Sequence, residues 1–150
     1  MADNITSILN GLVETSKDGE KGFRSAAENT KSTELKSVFL KRADDCAEGA
    51  AELQRIVSNR GDEPEQSGSV AGALHRGWIN LKTAVTSNDE LAILEECERG
   101  EDVAKAAYRD ALDKGNLSAD IRAVVQRQFE GVQKNHDQIR DLRDRYKSKS

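Results

Sequence analysis

Apolar residues recur every three or four positions along most of the chain, which is the spacing of one buried face on an amphipathic α-helix. The pattern holds through four long stretches and one shorter stretch in the middle of the chain. It predicts helices over residues 5–30, 33–59, 70–85, 88–114 and 118–146. The joins after the first and the fourth helix are short, so each join turns the chain back into an antiparallel hairpin.

The link between the two predicted hairpins is the longest interruption between long helices. It starts near Arg60, contains the only proline of the chain, Pro64, and includes the predicted short helix over 70–85. A link of this length can run back along the bundle and leave the second and third long helices parallel, as in the single-crossover topology of ferritin-like folds. We therefore predict one all-α domain over residues 1–150, a ferritin-like four-helix bundle with a long crossover.

The two predicted hairpins share one sequence pattern. A shift of 81 positions pairs Gly19 and Glu20 with Gly100 and Glu101, and a shift of 86 pairs the apolar stripe of the second helix with that of the last one. Because the two offsets are so close, duplication of a hairpin explains both. The periodicity that any two amphipathic helices share is the alternative explanation.

Three ionisable side chains lie within the apolar stripes. Glu20 and Glu101 occupy corresponding positions on the first and third long helices, and His136 lies between apolar positions on the last one. All three are therefore expected to point toward the bundle axis. Burying a charge without a partner costs several kcal/mol, so these groups imply pairing, a shared proton or a bound cation.

Charge and hydropathy exclude several classes of protein. The net charge of −4 disfavours general nucleic-acid binding, which depends on neutralising phosphates. The mean hydropathy is −0.73, and no apolar run is long enough to predict a membrane-spanning helix. The N-terminal residues lack the basic and apolar regions of a signal peptide, so we expect a cytoplasmic protein. Cys46 and Cys97 fall on apolar helical positions, which favours buried, reduced thiols.

The chain lacks the short motifs that mark common catalytic and nucleotide-binding sites. It contains no GxGxxG, GxxxxGKS/T, GxSxG or HExxH sequence. A Ser-His-Asp triad would have to use His75 or His136, and neither has an evident nucleophile beside it. We therefore expect no catalytic residues, and these absences favour a protein that is not an enzyme but leave an enzyme as the alternative.

His75 and Trp78 lie one turn apart on the predicted short helix. A partner or ligand site is one interpretation of this pair. The other is structural, because Leu74, Trp78 and Leu81 form the apolar stripe that would hold a crossover helix against the bundle.

Four runs of sequence resemble a known protein family. They are DGEKGFRSAAE, SGSVAGALHRGWINLK, ECERGEDVAKAAYRDAL and QKNHDQIRDLRD. Over nearly the whole chain, the sequence resembles a proteobacterial family of ferritin-like four-helix-bundle proteins of unknown function. The resemblance implies the fold and carries no established activity.

Di-iron members of the ferritin-like superfamily place one Glu on each of two helices and a Glu-x-x-His pair on each of the other two. In this chain Glu20 and Glu101 match the single carboxylates. The last helix keeps His136 but has Gln133 in place of the acidic ligand, and the second helix has alanines at both positions. The resemblance therefore implies a degenerate di-iron site.

Two interpretations of these interior residues remain open. In the first, Glu20, Glu101, Gln133 and His136 form a hydrogen-bonded polar network, and the protein is a non-catalytic bundle that needs no cofactor and acts in interactions or in stress. Copies of the chain would then associate, or bind a protein partner that the sequence does not identify. In the second, Glu20, Glu101 and His136 hold one divalent Fe, Mn or Zn ion, with Glu98 and Gln133 as additional ligands.

Overall fold

A computed structural model describes residues 4–65 and 89–149 of the chain. Over these residues the chain forms four long helices and no strand, namely α1 (Asn4–Asn29), α2 (Thr33–Asn59), α3 (Glu90–Lys114) and α4 (Ala119–Lys149). The all-α, four-helix prediction is confirmed for this part of the chain. The predicted bounds of the long helices differ from these by three residues or fewer. The predicted short helix over 70–85, with His75 and Trp78, lies outside the described residues.

Side chains and backbone geometry fix where the helices begin and end. The Ser32 hydroxyl accepts a hydrogen bond from the Leu35 amide at 3.1 Å and caps α2, and Asp89 caps α3 in the same way through the Leu91 amide. Gly61 follows α2 with a φ of 83°, a left-handed conformation that glycine adopts without steric cost. These residues therefore fix the two ends of α2 and the start of α3.

Replacing Ser32 by alanine is expected to lower the free energy of unfolding by about 1 kcal/mol, because the Leu35 amide loses its acceptor at the start of α2. Urea denaturation of the variant measures the change. Ser37→Ala is the matched control, since Ser37 is exposed within α2 and alanine has the higher helix propensity there. Equal effects of the two substitutions would show that the Ser32 cap does not stabilise the helix.

Two clusters of buried side chains form the core. The first joins the C-terminal halves of α1 and α4 to the N-terminal halves of α2 and α3, and consists of Phe23, Ala26, Ala27, Leu35, Phe39, Ala43, Cys46, Ile93, Leu94, Cys97, Ile139 and Leu142. The second joins the opposite halves and consists of Leu9, Leu12, Val13, Ala50, Leu53, Val57, Tyr108, Ala111, Leu112, Ile121, Val125 and Val132. α2 and α3 therefore begin at the same end of the bundle, and α1 and α4 end there.

The helices do not pack equally closely around this core. α1 packs along α2, and α4 packs along α3, whereas α2 and α4 hardly touch. At the end where α2 begins, Glu90 accepts hydrogen bonds from the Thr30 hydroxyl and the Lys31 amide, and Arg145 of α4 pairs with Glu34 of α2. The bundle is thus held together at this end while a gap remains between α2 and α4 at mid-height.

A search for membrane-spanning segments found no candidate among the helices of the described residues.

Candidate functional site

A buried ion pair lies at the centre of the bundle. Arg42 of α2 and Glu101 of α3 are 7% and 2% exposed. The Arg42 guanidinium contacts the Glu101 carboxylate through two nitrogens, with Nε 2.5 Å from Oε1 and Nη2 3.3 Å from Oε2. Such bidentate pairing fixes the orientation of both groups and joins α2 to α3 across the interior. Glu101 is therefore buried as the sequence predicts, but its partner is an arginine.

Burial and pairing act on these two groups in opposite directions. Burial raises the pKa of Glu101, while the charge and hydrogen bonds of Arg42 act to lower it. For Arg42, burial acts to lower the pKa, but the charge and hydrogen bonds of Glu101 more than offset this and raise it. The guanidinium therefore remains a cation inside the bundle.

An aromatic ring completes the surroundings of Arg42. The guanidinium carbon lies 5.9 Å from the centre of the Phe23 ring, within the range of a cation–π contact. Phe23 packs in turn against Phe39, with 6.1 Å between the ring centres. Arg42 is thus held by a carboxylate and by the face of a core aromatic ring.

A chain of polar side chains crosses the bundle next to the ion pair. The Tyr108 hydroxyl donates to Gln128 Oε1 at 2.7 Å and lies 3.3 Å from the Ser16 hydroxyl. Gln128 Nε2 donates to Glu52 Oε1 at 2.8 Å and to the Gly49 carbonyl at 3.3 Å. Burial raises the pKa of Tyr108 to about 12, so its hydroxyl stays protonated. This network links all four helices.

Glu20, the first of the predicted site residues, lies at the edge of this interior. Its carboxylate is 3.0 Å from Nη2 of Arg24 and 3.9 Å from Nζ of Lys17, both on its own helix. The side chain is 21% exposed. Glu20 therefore has cationic partners on α1 and partial access to solvent, in place of the inward position that its stripe predicts.

His136, the predicted residue of the last helix, is buried and faces carboxylates on both sides of its ring. Nε2 lies 2.6 Å from Asp102 Oδ1 and 3.8 Å from Glu98 Oε2, and Nδ1 lies 3.3 Å from Asp137 Oδ1. The hydrogen bond with His136 lowers the pKa of Asp137. Glu98 also pairs with Arg143. This cluster connects α3 to α4.

These positions do not fit a di-iron centre. No group of three or more His, Cys, Asp or Glu side chains within 4–65 and 89–149 could hold a metal ion. Gln133, a predicted additional ligand, is exposed on α4. Ala47 and Ala50 present only methyl groups on α2, where a di-iron protein would supply a carboxylate and an imidazole. The carboxylate of Glu101 is already bonded to Arg42.

Both cysteines are buried free thiols, as the sequence predicts. Burial raises the pKa of Cys46 to about 12 and that of Cys97 well above its ordinary value. Thiols in this state are poor nucleophiles, since the thiolate is the reactive form. Cys46 also lies against Gly19, where an added Cβ would approach Sγ to 3.0 Å.

The gap between α2 and α4 forms a cleft of about 510 Å³, which we call the central cleft. Its walls carry Glu52 and Gln128, and its floor carries Ser16, Tyr108 and the Arg42–Glu101 pair. Sequence reasoning missed Arg42 and Tyr108. Arg42 follows Phe39 by three positions and precedes Cys46 by four, so helical spacing alone could have placed it on the buried face.

Over the described residues, the fold and the cleft define a helical bundle with an apolar core and a buried ion pair at its centre. The chain belongs to the family described as a domain of unknown function, DUF2383, whose sequence profile matches residues 4–114. The match includes α1, α2 and α3 and therefore both members of the interior ion pair, while α4 lies beyond it. A comparison with curated proteins found no match.

Proposed function

We propose that the protein is a non-catalytic helical bundle that acts by binding other molecules, and that the Arg42–Glu101 pair takes the interior place that a metal centre has in the ferritin-like proteins it resembles. The observation that carries this proposal is the two-point contact between the two buried side chains. A guanidinium is permanently charged, so it supplies the positive charge that an interior carboxylate requires. The carboxylate then needs no metal ion.

The order of the helices supports the ferritin-like part of the proposal. α2 and α3 begin at the same end of the bundle, so the link between them has to connect opposite ends. A single crossover of this kind is the arrangement of ferritin-like bundles. Most of that link, residues 66–88, lies outside the described part of the chain.

The alternative is a metal-binding protein with one divalent ion at Glu20, Glu101 and His136. It requires Glu101 to leave Arg42, which would leave a buried guanidinium without a counter-charge at a cost of several kcal/mol. It also requires Glu20 to leave Arg24 and Lys17. These costs favour the first proposal. A role in stress and association of copies of the chain remain predictions.

Elemental analysis of the protein, purified without chelators, tests this choice. We expect transition metal well below one atom per chain, and no change in metal content on substitution Glu101→Gln. Glu48→Gln is the matched control, because Glu48 is an exposed glutamate on the rim of the same cleft. One metal atom per chain that is lost in Glu101→Gln and in His136→Ala, but kept in Glu48→Gln, would establish the alternative.

A further inference from the structure

The central cleft has the size and position of a small-molecule site. Its volume of about 510 Å³ falls within the range of about 300–1,000 Å³ that is usual for ligand pockets. It lies between helices of a bundle, a common location for such sites. The few contacts between α2 and α4 leave a gap between these two helices on one side of it.

Each of the four helices contributes a glycine to the central cleft. They are Gly19, Gly49, Gly100 and Gly131. Glycine within a helix costs up to about 1 kcal/mol relative to alanine. At Gly131 an added Cβ would meet nothing within 4 Å, and at Gly49 it would meet only the Gln128 amide at an ordinary 3.6 Å. Packing within the protein does not require glycine at these two positions, and its presence keeps the cleft wide.

A deep hydrogen-bond donor faces this space. Arg42 uses Nε and Nη2 for Glu101, and Nη1 has no hydrogen-bond partner among residues 4–65 and 89–149. No fully buried side-chain nitrogen or oxygen of the described residues lacks a partner, so Nη1 is not fully buried, and Arg42 lines the central cleft. The N–H groups on Nη1 are therefore available to an acceptor that enters the cleft.

The charges around Arg42 determine whether an anionic or a neutral hydrogen-bond acceptor fits beside Nη1. Glu101 already neutralises the guanidinium, and at the rim Glu52 is paired with Arg127 and Asp45 with Lys41. A second anion at Nη1 would be a buried charge without a counter-charge, which costs several kcal/mol. A neutral carbonyl oxygen avoids that cost and still accepts a hydrogen bond from a charged donor.

We infer that the central cleft binds a small neutral molecule whose carbonyl oxygen, as in an amide, a urea or a lactam, accepts a hydrogen bond from Nη1 of Arg42. The side-chain oxygens of Tyr108, Gln128 and Asn135 lie along the cleft for the N–H groups of such a ligand. The inference rests on one part of the proposed function, namely that the protein acts by binding other molecules. Metal content tests the proposed function, and amide binding tests this inference.

Matched pairs of fragments test the inference: benzamide with benzoate, and cyclohexanecarboxamide with cyclohexanecarboxylate. Titrations followed by backbone-amide NMR are expected to give dissociation constants on the order of 1–10 mM for the two amides, as befits ligands of this size. The largest shifts should be those of the four glycines of the central cleft. The two carboxylates are expected to bind at least about tenfold more weakly.

Two leucine substitutions control for the location of the site. Gly131→Leu fills the central cleft and is expected to weaken amide binding at least about tenfold. Gly11→Leu should leave it unchanged, because Gly11 is likewise an exposed helical glycine with nothing within 4 Å of an added Cβ, but it lies outside the central cleft. The proposed site would be overturned if neither amide shifted the NMR signals of the glycines of the central cleft. It would also be overturned if Gly131→Leu and Gly11→Leu changed amide binding equally.

The double variant Arg42→Met/Glu101→Leu tests the anchor. It removes the donor together with its counter-charge, and we expect amide binding to fall at least about tenfold while the helical circular dichroism signal is retained. Unchanged amide binding in this variant would overturn the role of Arg42. Carboxylates that bind the natural protein as tightly as the amides do would overturn the assignment of a neutral ligand.

Discussion

Replacing Arg42 by methionine is expected to lower the free energy of unfolding by about 3–5 kcal/mol at neutral pH, because the buried Glu101 carboxylate then has no counter-charge. Methionine keeps much of the aliphatic volume of the arginine side chain, so the loss reports on the missing charge and hydrogen bonds. Urea denaturation followed by circular dichroism measures the change.

Arg24→Met is the matched control for this substitution. Arg24 also pairs with a glutamate, Glu20, but its side chain is 42% exposed. Exposed ion pairs contribute about 0–1 kcal/mol, so the control should lose no more than that. Equal losses of unfolding free energy in Arg42→Met and Arg24→Met would show that the buried Arg42–Glu101 pair stabilises the protein no more than an exposed pair does.

The pH dependence of the Arg42→Met variant follows from the Glu101 carboxylate. Burial raises the pKa of Glu101 and Arg42 opposes that shift, so removal of Arg42 moves the folded-state pKa further above the unfolded value. Such a group contributes stability that is fully present below the unfolded pKa and lost as the pH rises through the folded pKa. The stability deficit of the variant, relative to the natural protein, should therefore be smallest near about pH 4 and should grow toward about pH 8.

Removal of both charges is expected to reverse most of the loss. In Arg42→Met/Glu101→Leu neither charge remains buried, and replacing a buried ion pair by apolar side chains is often neutral or stabilising by about 1–4 kcal/mol. The double variant should accordingly be more stable than Arg42→Met alone, and its stability deficit should not grow with pH. A double variant as unstable as Arg42→Met would mean that methionine at position 42 fails to pack, whatever the charge of Glu101.

The sequence was sufficient to predict the helices because each long helix carries a regular apolar stripe. It also predicted that Glu101 is buried, since that residue interrupts the stripe of α3. The partner of Glu101 could not be predicted in the same way. Whether the partner of Glu101 is a metal ion or Arg42 depends on the distance between α2 and α3 across the interior. The apolar pattern within a single helix does not give that distance.

The prediction for Glu20 shows a second limit of the pattern. Its position on the α1 stripe corresponds to that of Glu101 on α3, and the repeat between hairpins predicted the same environment for both. The environments differ because Lys17 and Arg24, three positions before and four after Glu20, hold its carboxylate at the edge of the helix. A repeat of apolar positions therefore fixes which face is buried, while local ion pairs decide where a long polar side chain ends.

Replacing Phe23 by alanine is expected to lower the free energy of unfolding by about 3–5 kcal/mol, since it removes a fully buried aromatic ring from the first core cluster. The ring also lies over the Arg42 guanidinium, a contact worth about 0.5–2 kcal/mol. Phe23→Leu separates the two effects, because it retains apolar volume and removes the aromatic face. Its expected cost is below about 1.5 kcal/mol from packing, plus the lost contact with Arg42. Urea denaturation measures both variants.

The contact between Phe23 and Arg42 can be isolated by a double-mutant cycle. Phe23→Leu in the Arg42→Met background should cost less than in the natural protein, and the difference should be about 0.5–2 kcal/mol, because the cation that the ring contacts is already gone. Leu40→Ala is the control for truncation of an apolar side chain, since Leu40 is the exposed large hydrophobic of the described helices. A cycle with no coupling would mean that Phe23 stabilises the core without holding Arg42, and the position of the Arg42 guanidinium would then depend on Glu101 alone.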